Sequence, residues 1–461
     1  MTIHSPILIR KFDKSILTDC FKKIGFESFG KVTDIKGNII EAHLPRTSVG
    51  TVIKMESPRD SKSFNQSNTV LGEVIGFRDE YKVTILPYGS IAGIGPGCAV
   101  KSVDIWNHIR LSNSLLGRVI NPMMEPLDRP EAPIAGQSVS VPLEKNAPNP
   151  LSRSRIQKPM QLGIRAIDGL LTFGEGQRIG ILAGAGVGKS VLLGMIARNT
   201  SADVNVIGLI GERGREVREF IERDLGEEGL KRSVVVVTTS DQSPLLRVRA
   251  AKVVTALAEG FSSQGKNVLL FMDSLTRVAM AQREIGQARQ ETPTSKGYTT
   301  SVFALLPALL ERCGPQPEGQ GSISGIYTVL MDGDDLNDPI PDAARSILDG
   351  QILLSRSLAN KGHFPAIDLS GSISRVMNDI ISDEHRELAQ TVRALLGTYK
   401  ENLDFIQIGA YQSGSNPTLD AAINLMPTIE RFLKQGLNES SAIEKTLFDL
   451  KSIFSVKNAR K

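Results

Sequence analysis

Short apolar runs separated by turn residues follow one another in the first hundred positions of the chain. They span residues 31–35, 39–44, 72–77 and 82–86, and the first two flank the turn Lys36-Gly37-Asn38. Runs of this length and spacing are typical of a small β-barrel or sandwich. We therefore predict a β-barrel domain over residues 30–100.

The pattern changes in the middle of the chain, where apolar runs alternate with amphipathic helical segments from Arg178 to about Arg375. The clearest predicted strands are residues 204–210, 233–238, 268–272 and 326–331. Strands that are apolar throughout and alternate with helices are typical of a mainly parallel sheet covered on both faces. This pattern predicts an α/β core at residues 101–380.

After Ile380 the apolar positions recur at helical spacing. Residues 384–396, 419–433 and 441–454 are the best predicted helices, with a break at 414–417. We predict a C-terminal helical domain at 381–461. The remaining residues, 1–29, form an N-terminal segment that we expect to bind a partner.

Composition narrows the class of protein. Among 461 residues, 41% are hydrophobic and 23% are charged, as in a globular protein, and no apolar stretch approaches the roughly 18 residues that span a bilayer. A net charge of +4 gives no electrostatic footprint for nucleic acid, so no nucleic-acid partner is expected. The three cysteines are far apart and the N-terminus lacks the apolar core of a signal peptide, which predicts a cytoplasmic protein.

The sequence Ala-Gly-Ala-Gly-Val-Gly-Lys-Ser at 183–190 joins a predicted strand to a predicted helix. A glycine-rich turn in that context is a phosphate cradle, which makes a nucleoside triphosphate the leading ligand. Lys189 can reach the β- and γ-phosphates and the Ser190 hydroxyl can bind Mg²⁺. The motif ordinarily opens with glycine, and Ala183 departs from it at the strand exit. The loop residues expected to bind the nucleotide are Gly184, Ala185, Gly186, Val187 and Gly188.

Two further strands end in charged residues. Asp273 follows the apolar run 268–272, where it can either hold the Mg²⁺ shell or cap the next helix. Glu212 and Arg213 follow the run 204–210, so they can reach the γ-phosphate or simply begin a solvated charge run. Arg375 ends the α/β region and reads, by itself, as an ordinary surface arginine.

The order of several motifs resembles that of the hexameric rotary-type ATPases. These motifs lie at 174–178, 183–190, 211–216, 272–277 and 372–375. Within that group the chain is most similar to the flagellar protein-export ATPases of the type III secretion family. The segments that suggest this branch are 301–312, 342–356 and 408–420.

The resemblance implies roles that spacing alone does not give. It makes Glu212 the catalytic glutamate, Arg213 and Arg277 ligands of the γ-phosphate, and Asp273 a residue of the magnesium shell. It makes Arg375 an arginine finger inserted into the neighbouring subunit's site. Phe364 falls at the aromatic position that packs on adenine, and Tyr411 is expected to supply the other wall. The expected ligands are therefore ATP and Mg²⁺.

The function implied is ATP hydrolysis by a homohexamer that energises type III protein export and releases or unfolds substrates. Expected partners are a stator or regulator at the N-terminus, a central stalk, an export-gate membrane protein, and export chaperones with their substrates. The ring would lie at the cytoplasmic face of the inner-membrane export apparatus.

Three alternatives to this function stay open at this point. The first is the injectisome version of the same ATPase, and the second is a rotary ATP synthase catalytic subunit. The third is an RNA-translocating hexamer. It is disfavoured because the aromatics of residues 30–100 have no basic cluster among them.

The first thirty residues also carry an amphipathic pattern. Ile16, Leu17, Cys20, Phe21 and Ile24 share one helical face. Such a helix could dock a regulator or a membrane surface, or pack on the chain's own barrel.

Overall fold

A computed structural model describes residues 29–56, 69–103, 107–132, 134, 136–331, 333 and 335–455. The amphipathic pattern at residues 16–24 lies outside these residues. By its internal contacts the chain divides into two units, Met1–Trp106 and Asn107–Lys461. Among the described residues, no helix is both long enough and apolar enough to cross a membrane.

The first unit contains a closed six-stranded barrel. Its strands are β1 (Phe29–Lys36), β2 (Ile39–His43), β3 (Val52–Glu56), β4 (Thr69–Phe77), β5 (Lys82–Pro87) and β6 (Ala99–Ser102). They pair antiparallel in the order β1-β2-β5-β4-β3-β6, and β6 closes back on β1. Ile40, Ile53 and Ile85 are fully buried inside. The predicted β-barrel is therefore confirmed, with β3 and β6 added to the four predicted strands.

Ten strands lie in the described part of the second unit. They are β7 (His108–Leu111), β8 (Arg118–Ile120), β9 (Val139–Pro142), β10 (Arg178–Ala183), β11 (Val204–Glu212), β12 (Ser233–Thr239), β13 (Val268–Asp273), β14 (Ile323–Leu330), β15 (Gly350–Leu354) and β16 (Ile367–Ser374). Eight of them form one sheet in the order β16-β15-β10-β14-β13-β11-β12-β8. Every neighbouring pair is parallel except β15 and β16, which run antiparallel. The mainly parallel sheet is confirmed.

Helices cover this sheet and follow it. They are α1 (Arg165–Leu170), α2 (Lys189–Asn199), α3 (Gly214–Glu219), α4 (Gly226–Lys231), α5 (Pro244–Ser262), α6 (Leu275–Ala288), α7 (Thr300–Leu310), α8 (Pro339–Ile347), α9 (Arg356–Asn360), α10 (Met377–Ile380), α11 (Asp383–Glu401), α12 (Leu403–Gln407), α13 (Pro417–Leu433) and α14 (Ile443–Ser455). A π-helical turn, Phe220–Leu225, joins α3 to α4.

The central strand β11 shows why the sheet is buried on both faces. Val206 and Ile210 pack into one hydrophobic cluster, whereas Ile207 and Leu209 pack into another on the opposite face. Adjacent side chains of a strand point to opposite faces, so a strand covered twice must be apolar throughout. This explains the continuous apolar run that the sequence carries there.

The predicted C-terminal helices correspond to α11, α13 and α14. Asn416 caps the start of α13 by accepting hydrogen bonds from the N–H groups of Thr418 and Leu419, and Pro417 occupies the first turn. This arrangement explains the break predicted at 414–417, since proline is tolerated where no helical N–H is needed. Val392 and Ile429 belong to the same buried cluster as one face of the large sheet.

Candidate active site

The phosphate cradle occupies the turn between β10 and α2. Gly186 and Gly188 have φ values of 77° and 89°, a left-handed conformation that glycine adopts without strain. Gly188 is the N-cap of α2 and no side chain caps the helix, so its first N–H groups are available to an anion. Ala183 is fully buried as the last residue of β10, which explains why the loop tolerates alanine there.

Lys189 begins α2 and lies between two carboxylates. Its ammonium forms an ion pair with Asp273 and lies 3.5 Å from Oε1 of Glu212. Burial by itself would lower the pKa of Lys189, but the two carboxylates outweigh it and hold the pKa above its ordinary value. Lys189 therefore stays charged and ready to pair with phosphate oxygens.

Asp273 ends β13 and is 2% exposed. Its Oδ1 accepts a hydrogen bond of 2.7 Å from the hydroxyl of Thr328 on the adjacent strand β14. The capping alternative is wrong, because Ser274 caps α6 by accepting a hydrogen bond from the N–H of Arg277. Thr328 is a site residue that the sequence did not reveal, since only the pairing of β13 with β14 brings it to Asp273.

Glu212 ends β11, and its side chain is only 14% exposed. Its Oε1 has no hydrogen-bond partner among the described residues. Burial raises the pKa of Glu212 to about 7; Lys189 and Arg277 oppose the rise, whereas the charge of Asp273 and a hydrogen bond with the carboxyl of Glu216 add to it. A largely buried carboxyl with a pKa near 7 is suited to accept a proton near neutral pH.

A cavity of about 10 Å³ lies beside these groups. It is lined by Ser190, Leu209, Glu212, Glu216, Val217, Phe220 and Asp273. A space of this size is close to what one water molecule needs.

The hydroxyl of Ser190 and the carboxylate of Asp273 are the oxygen ligands that Mg²⁺ prefers, so the residues present fit this ion.

The two arginines predicted at the γ-phosphate differ in position. Arg277 packs against Gly211 so closely that a Cβ added to the glycine would lie 2.9 Å from the Cβ of Arg277. Its buried Nε has no hydrogen-bond partner within the described part of the chain. The Arg213 side chain, in contrast, is 79% exposed and pairs loosely with Glu216 at 4.0 Å. The structure brings Arg277 beside Gly211, next to Glu212 in the chain, and leaves Arg213 in solvent.

Phe364 lies at the other side of the cradle. A Cβ added to Gly188 would lie 3.5 Å from its ring, which is itself 44% exposed. Tyr411 is engaged within its own loop, because its hydroxyl donates to the carbonyl of Asn416 and to the carboxylate of Asp420. The structure therefore places Phe364 beside the phosphate loop and ties Tyr411 to the start of α13.

Arg375 and the cradle lie at opposite ends of the sheet's strands. Because β16 is antiparallel, its last residue, Ser374, pairs with Gly350 at the beginning of β15. The N–H of Arg375 donates to the carbonyl of Asp349, whose own N–H donates to the carbonyl of Arg178 at the first residue of β10. Arg375 is exposed, and its guanidinium bonds the carbonyl of Arg345 at 3.3 Å. It does not reach the cradle of its own chain.

Two family models match consecutive parts of the second unit. The model described as the ATP synthase alpha/beta family, nucleotide-binding domain, matches residues 163–374. The model described as the T3SS EscN ATPase C-terminal domain matches residues 381–452. Together they cover the cradle, the residues around it and the C-terminal helices.

Several bacterial proteins are similar to this chain over nearly its whole length. The flagellum-specific ATP synthase of Bacillus subtilis is 49% identical over 438 residues, which are 95% of this chain and 98% of that protein. The protein of the same name from Salmonella typhimurium is 46% identical, covering 92% and 93% of the two chains. The type 3 secretion system ATPase of Sinorhizobium fredii is 45% identical, covering 91% and 90%.

A solved structure has the same fold. The assembled ATPase EscN from the enteropathogenic E. coli type III secretion system matches with a TM-score of 0.85 and 44% identity. The match covers 92% of this chain and 99% of that one. EscN in complex with its central stalk EscO matches with a TM-score of 0.82 and the same identity.

Proposed function

This chain belongs to the family of flagellum-specific ATP synthases and type III secretion ATPases, and we propose that six copies form a ring whose ATP hydrolysis energises protein export. The observation that carries the proposal is the separation of two sets of residues in one chain. Lys189, Glu212 and Asp273 meet at the carboxyl ends of the parallel strands, whereas Arg375 lies level with their amino ends. In a ring of head-to-tail contacts, the amino ends of the strands in one copy face the carboxyl ends of the strands in the next.

Membership of the family makes the chain an ATPase, and the geometry suggests how each group acts. We assign Glu212 to orient the attacking water and accept its proton, because its carboxyl is buried and lines a cavity of about the size of one water molecule. Lys189 binds the β- and γ-phosphates together with the N–H groups of 184–188. Arg277 is assigned to the γ-phosphate because its buried Nε lacks a partner in the described chain.

Ser190 and Asp273 are the residues that would hold Mg²⁺. When bound, the ion neutralises negative charge on the phosphate oxygens. Thr328 fixes the orientation of the Asp273 carboxylate through its 2.7 Å hydrogen bond. The ion pair between Lys189 and Asp273 keeps the lysine at the mouth of the cradle until phosphates replace that carboxylate as its partner.

Arg375 is proposed to enter the site of the adjacent copy, where a guanidinium binds the charge that spreads over the phosphoryl oxygens. Arg213, which is exposed here, is a further candidate for contact with the γ-phosphate once that copy is in place. Phe364 is proposed to pack on the adenine. Tyr411 is proposed to form the second wall of the adenine pocket with its ring, while its hydroxyl holds its own loop.

The partners proposed for this chain follow from its relatives. A central stalk protein in the ring is proposed because EscN was solved with its stalk EscO. A stator at residues 1–29, an export-gate membrane protein, and chaperones with their substrates are proposed from the resemblance of the whole chain. On this proposal, the ring works at the cytoplasmic face of the membrane that holds the export gate.

We favour the flagellar branch over the injectisome. The Bacillus subtilis flagellar relative is 49% identical, compared with 45% for the Sinorhizobium fredii secretion ATPase. Deleting the gene in a motile host that also secretes effectors tests this choice. The flagellar proposal predicts loss of swimming with effector secretion retained, and normal swimming contradicts it.

The ring itself is tested by the dependence of ATPase activity on protein concentration. If active sites are shared between copies, activity per chain rises with concentration as rings form and then reaches a plateau. A flat dependence, measured down to concentrations at which sedimentation shows only single chains, contradicts the shared site.

A further inference from the structure

Gln435 is a buried amide just after the end of α13, and every polar atom of its side chain is paired. It is 5% exposed. Its Oε1 accepts a hydrogen bond of 2.9 Å from the N–H of Arg165. Its Nε2 donates to the carbonyls of Gly163 at 2.8 Å and Glu439 at 2.9 Å. A buried amide satisfied in this way holds its segment in one position, because any displacement leaves buried polar groups unpaired.

The segment held in this way reaches the nucleotide side of the molecule. The backbone N–H of Gln435 donates to the carbonyl of Phe364 at 2.9 Å. The ring of Phe364 lies against the turn at Gly188, yet almost half of its surface is exposed. Packing alone does not immobilise a half-exposed ring, so the backbone hydrogen bond from Gln435 contributes to its placement.

The same segment is tied to the helix that begins at the phosphate loop. Arg198, in the last turn of α2, donates from Nη2 to the carbonyl of Leu437 at 2.7 Å. Gly163 approaches Asn199, the last residue of α2, so closely that an added Cβ would lie 2.4 Å from the Cβ of Asn199. Gln435 therefore connects the C-terminal end of α2 with Phe364, which lies beside Gly188 at the N-terminal end of the same helix.

We propose that Gln435 is a positioning residue that fixes Phe364 for contact with the nucleotide base and so sets affinity for the base, without affecting the hold on the phosphates. This inference rests on the proposed function, in which Phe364 packs on adenine. Gln435 touches neither base nor phosphate in this scheme and acts only through Phe364. Arg165, which donates to Gln435, also donates to the carbonyl of Phe432 at the end of α13. A movement of this C-terminal helix would therefore change the position of Phe364 and with it the affinity for the base.

The test compares ATP with inorganic tripolyphosphate, which has the phosphates but no base. In the full chain, Gln435→Ala is expected to raise KM for ATP about tenfold, a loss of about 1.4 kcal/mol of binding. We expect kcat to change less than about twofold, because base contacts are made equally before and during the reaction. The inhibition constant of tripolyphosphate against ATP hydrolysis is expected to stay within about twofold, because the phosphate loop is unchanged.

Gln161→Ala is the matched control. Its amide also joins the end of α2 to the C-terminal helices, through the carbonyl of Asn199 and the N–H of Ile443, but its described hydrogen bonds do not include Phe364. We expect this variant to keep the wild-type KM for ATP. If Gln435→Ala does not fold, Gln435→Met, which removes both amide donors and fills nearly the same volume, is measured in its place with the same expectation.

Three results would overturn the inference or its premise separately. An unchanged KM for ATP in a folded Gln435 variant rejects the positioning role while the proposed function stands. Equal weakening of ATP and tripolyphosphate also rejects it, because the effect then extends to the phosphate loop. Absence of ATP hydrolysis by the wild-type ring rejects the proposed function itself.

Discussion

Arg375 and Lys189 lie at opposite ends of the strands of one sheet within a single chain. Arg375 is level with the first residue of β10, through its bond to Asp349 and the bond from Asp349 to Arg178. Lys189 lies beyond the last residue of the same strand, Ala183. Five residue steps of parallel strand separate the two levels by roughly 17 Å, which exceeds the reach of an arginine side chain. Any catalytic contact between Arg375 and a phosphate loop must therefore involve another copy.

Arg375→Ala is expected to lower kcat about a thousandfold or more with little change in KM for ATP. An arginine that binds charge only in the transition state affects turnover and leaves ground-state binding intact. Steady-state kinetics at concentrations where the wild-type ring is fully formed measure both constants. A large rise in KM at unchanged kcat would assign Arg375 to ground-state binding instead.

Glu212→Gln is expected to abolish hydrolysis while ATP still binds. The amide keeps the size of the side chain but cannot accept a proton from water. A fluorescent ATP analogue measures binding, and phosphate release measures turnover. The exposed neighbour Arg215, which pairs with Glu219 on the surface of α3, supplies a control in Arg215→Ala, expected to retain wild-type turnover. Turnover by Glu212→Gln near the wild-type rate would remove Glu212 from the proposed role.

Thr328→Val is expected to raise the Mg²⁺ concentration for half-maximal activity about tenfold. The substitution keeps the side-chain shape but removes the hydroxyl that orients Asp273, and a hydrogen bond to a charged group contributes about 1.5–3 kcal/mol. The measurement is a magnesium titration of ATPase activity at fixed ATP.

Thr255→Val is its control, because the hydrogen bond that the described chain gives this buried hydroxyl goes to a helix carbonyl, that of Ala251 in α5. We expect the control to show the wild-type magnesium dependence. An equal shift in both variants would attribute the effect to lost stability and not to Asp273.

Stability is expected to depend on pH through Asp168. Its carboxyl is fully buried and accepts hydrogen bonds from the N–H groups of Leu162 and Gly163. Burial raises its pKa from 3.8 to about 7. Between these two values the folded chain holds a proton that the unfolded chain has lost, so the free energy of unfolding falls as pH rises, by at most about 1.4 kcal/mol per pH unit.

Asp168→Asn has no such proton to lose. Chemical denaturation from pH 5 to 8, at fixed protein concentration, should therefore show the stability of the wild type relative to this variant decreasing up to about pH 7 and constant above it. A relative stability that stays constant from pH 5 to 8 would mean that Asp168 is charged in the folded chain throughout this range and would contradict the raised pKa.

The sequence predicted those parts of the fold and site that depend on local pattern. The cradle is a contiguous motif, and the run 268–272 is apolar because β13 is buried on both faces. The short strands β3 and β6 were not predicted. Each contains an exposed or half-buried lysine, Lys54 or Lys101, and each depends on the other for pairing in the barrel.

The parts that sequence did not reveal depend on which strands become neighbours. Thr328 reaches Asp273 only because β13 and β14 are adjacent. The position of Arg375 depends on the antiparallel pair β15–β16 of the large sheet. Because β16 runs against the other strands, it ends level with the first residues of β10. Gln435 lies more than 250 residues from Gly163 and Arg165 along the chain, so no local pattern could have paired them.

A mixing experiment tests the shared site most directly. Glu212→Gln and Arg375→Ala chains are each expected to be inactive alone, because every site in either ring lacks one group. In a ring assembled from equal amounts of both, about a quarter of the sites combine the intact Glu212 of one chain with the intact Arg375 of the next.

The measurement is the ATPase activity of the mixture after dissociation and reassembly. An active site shared between two copies predicts recovery to about one quarter of the wild-type rate if the sites turn over independently. Activity no greater than the sum of the two separate variants would contradict an active site built from two copies of this chain.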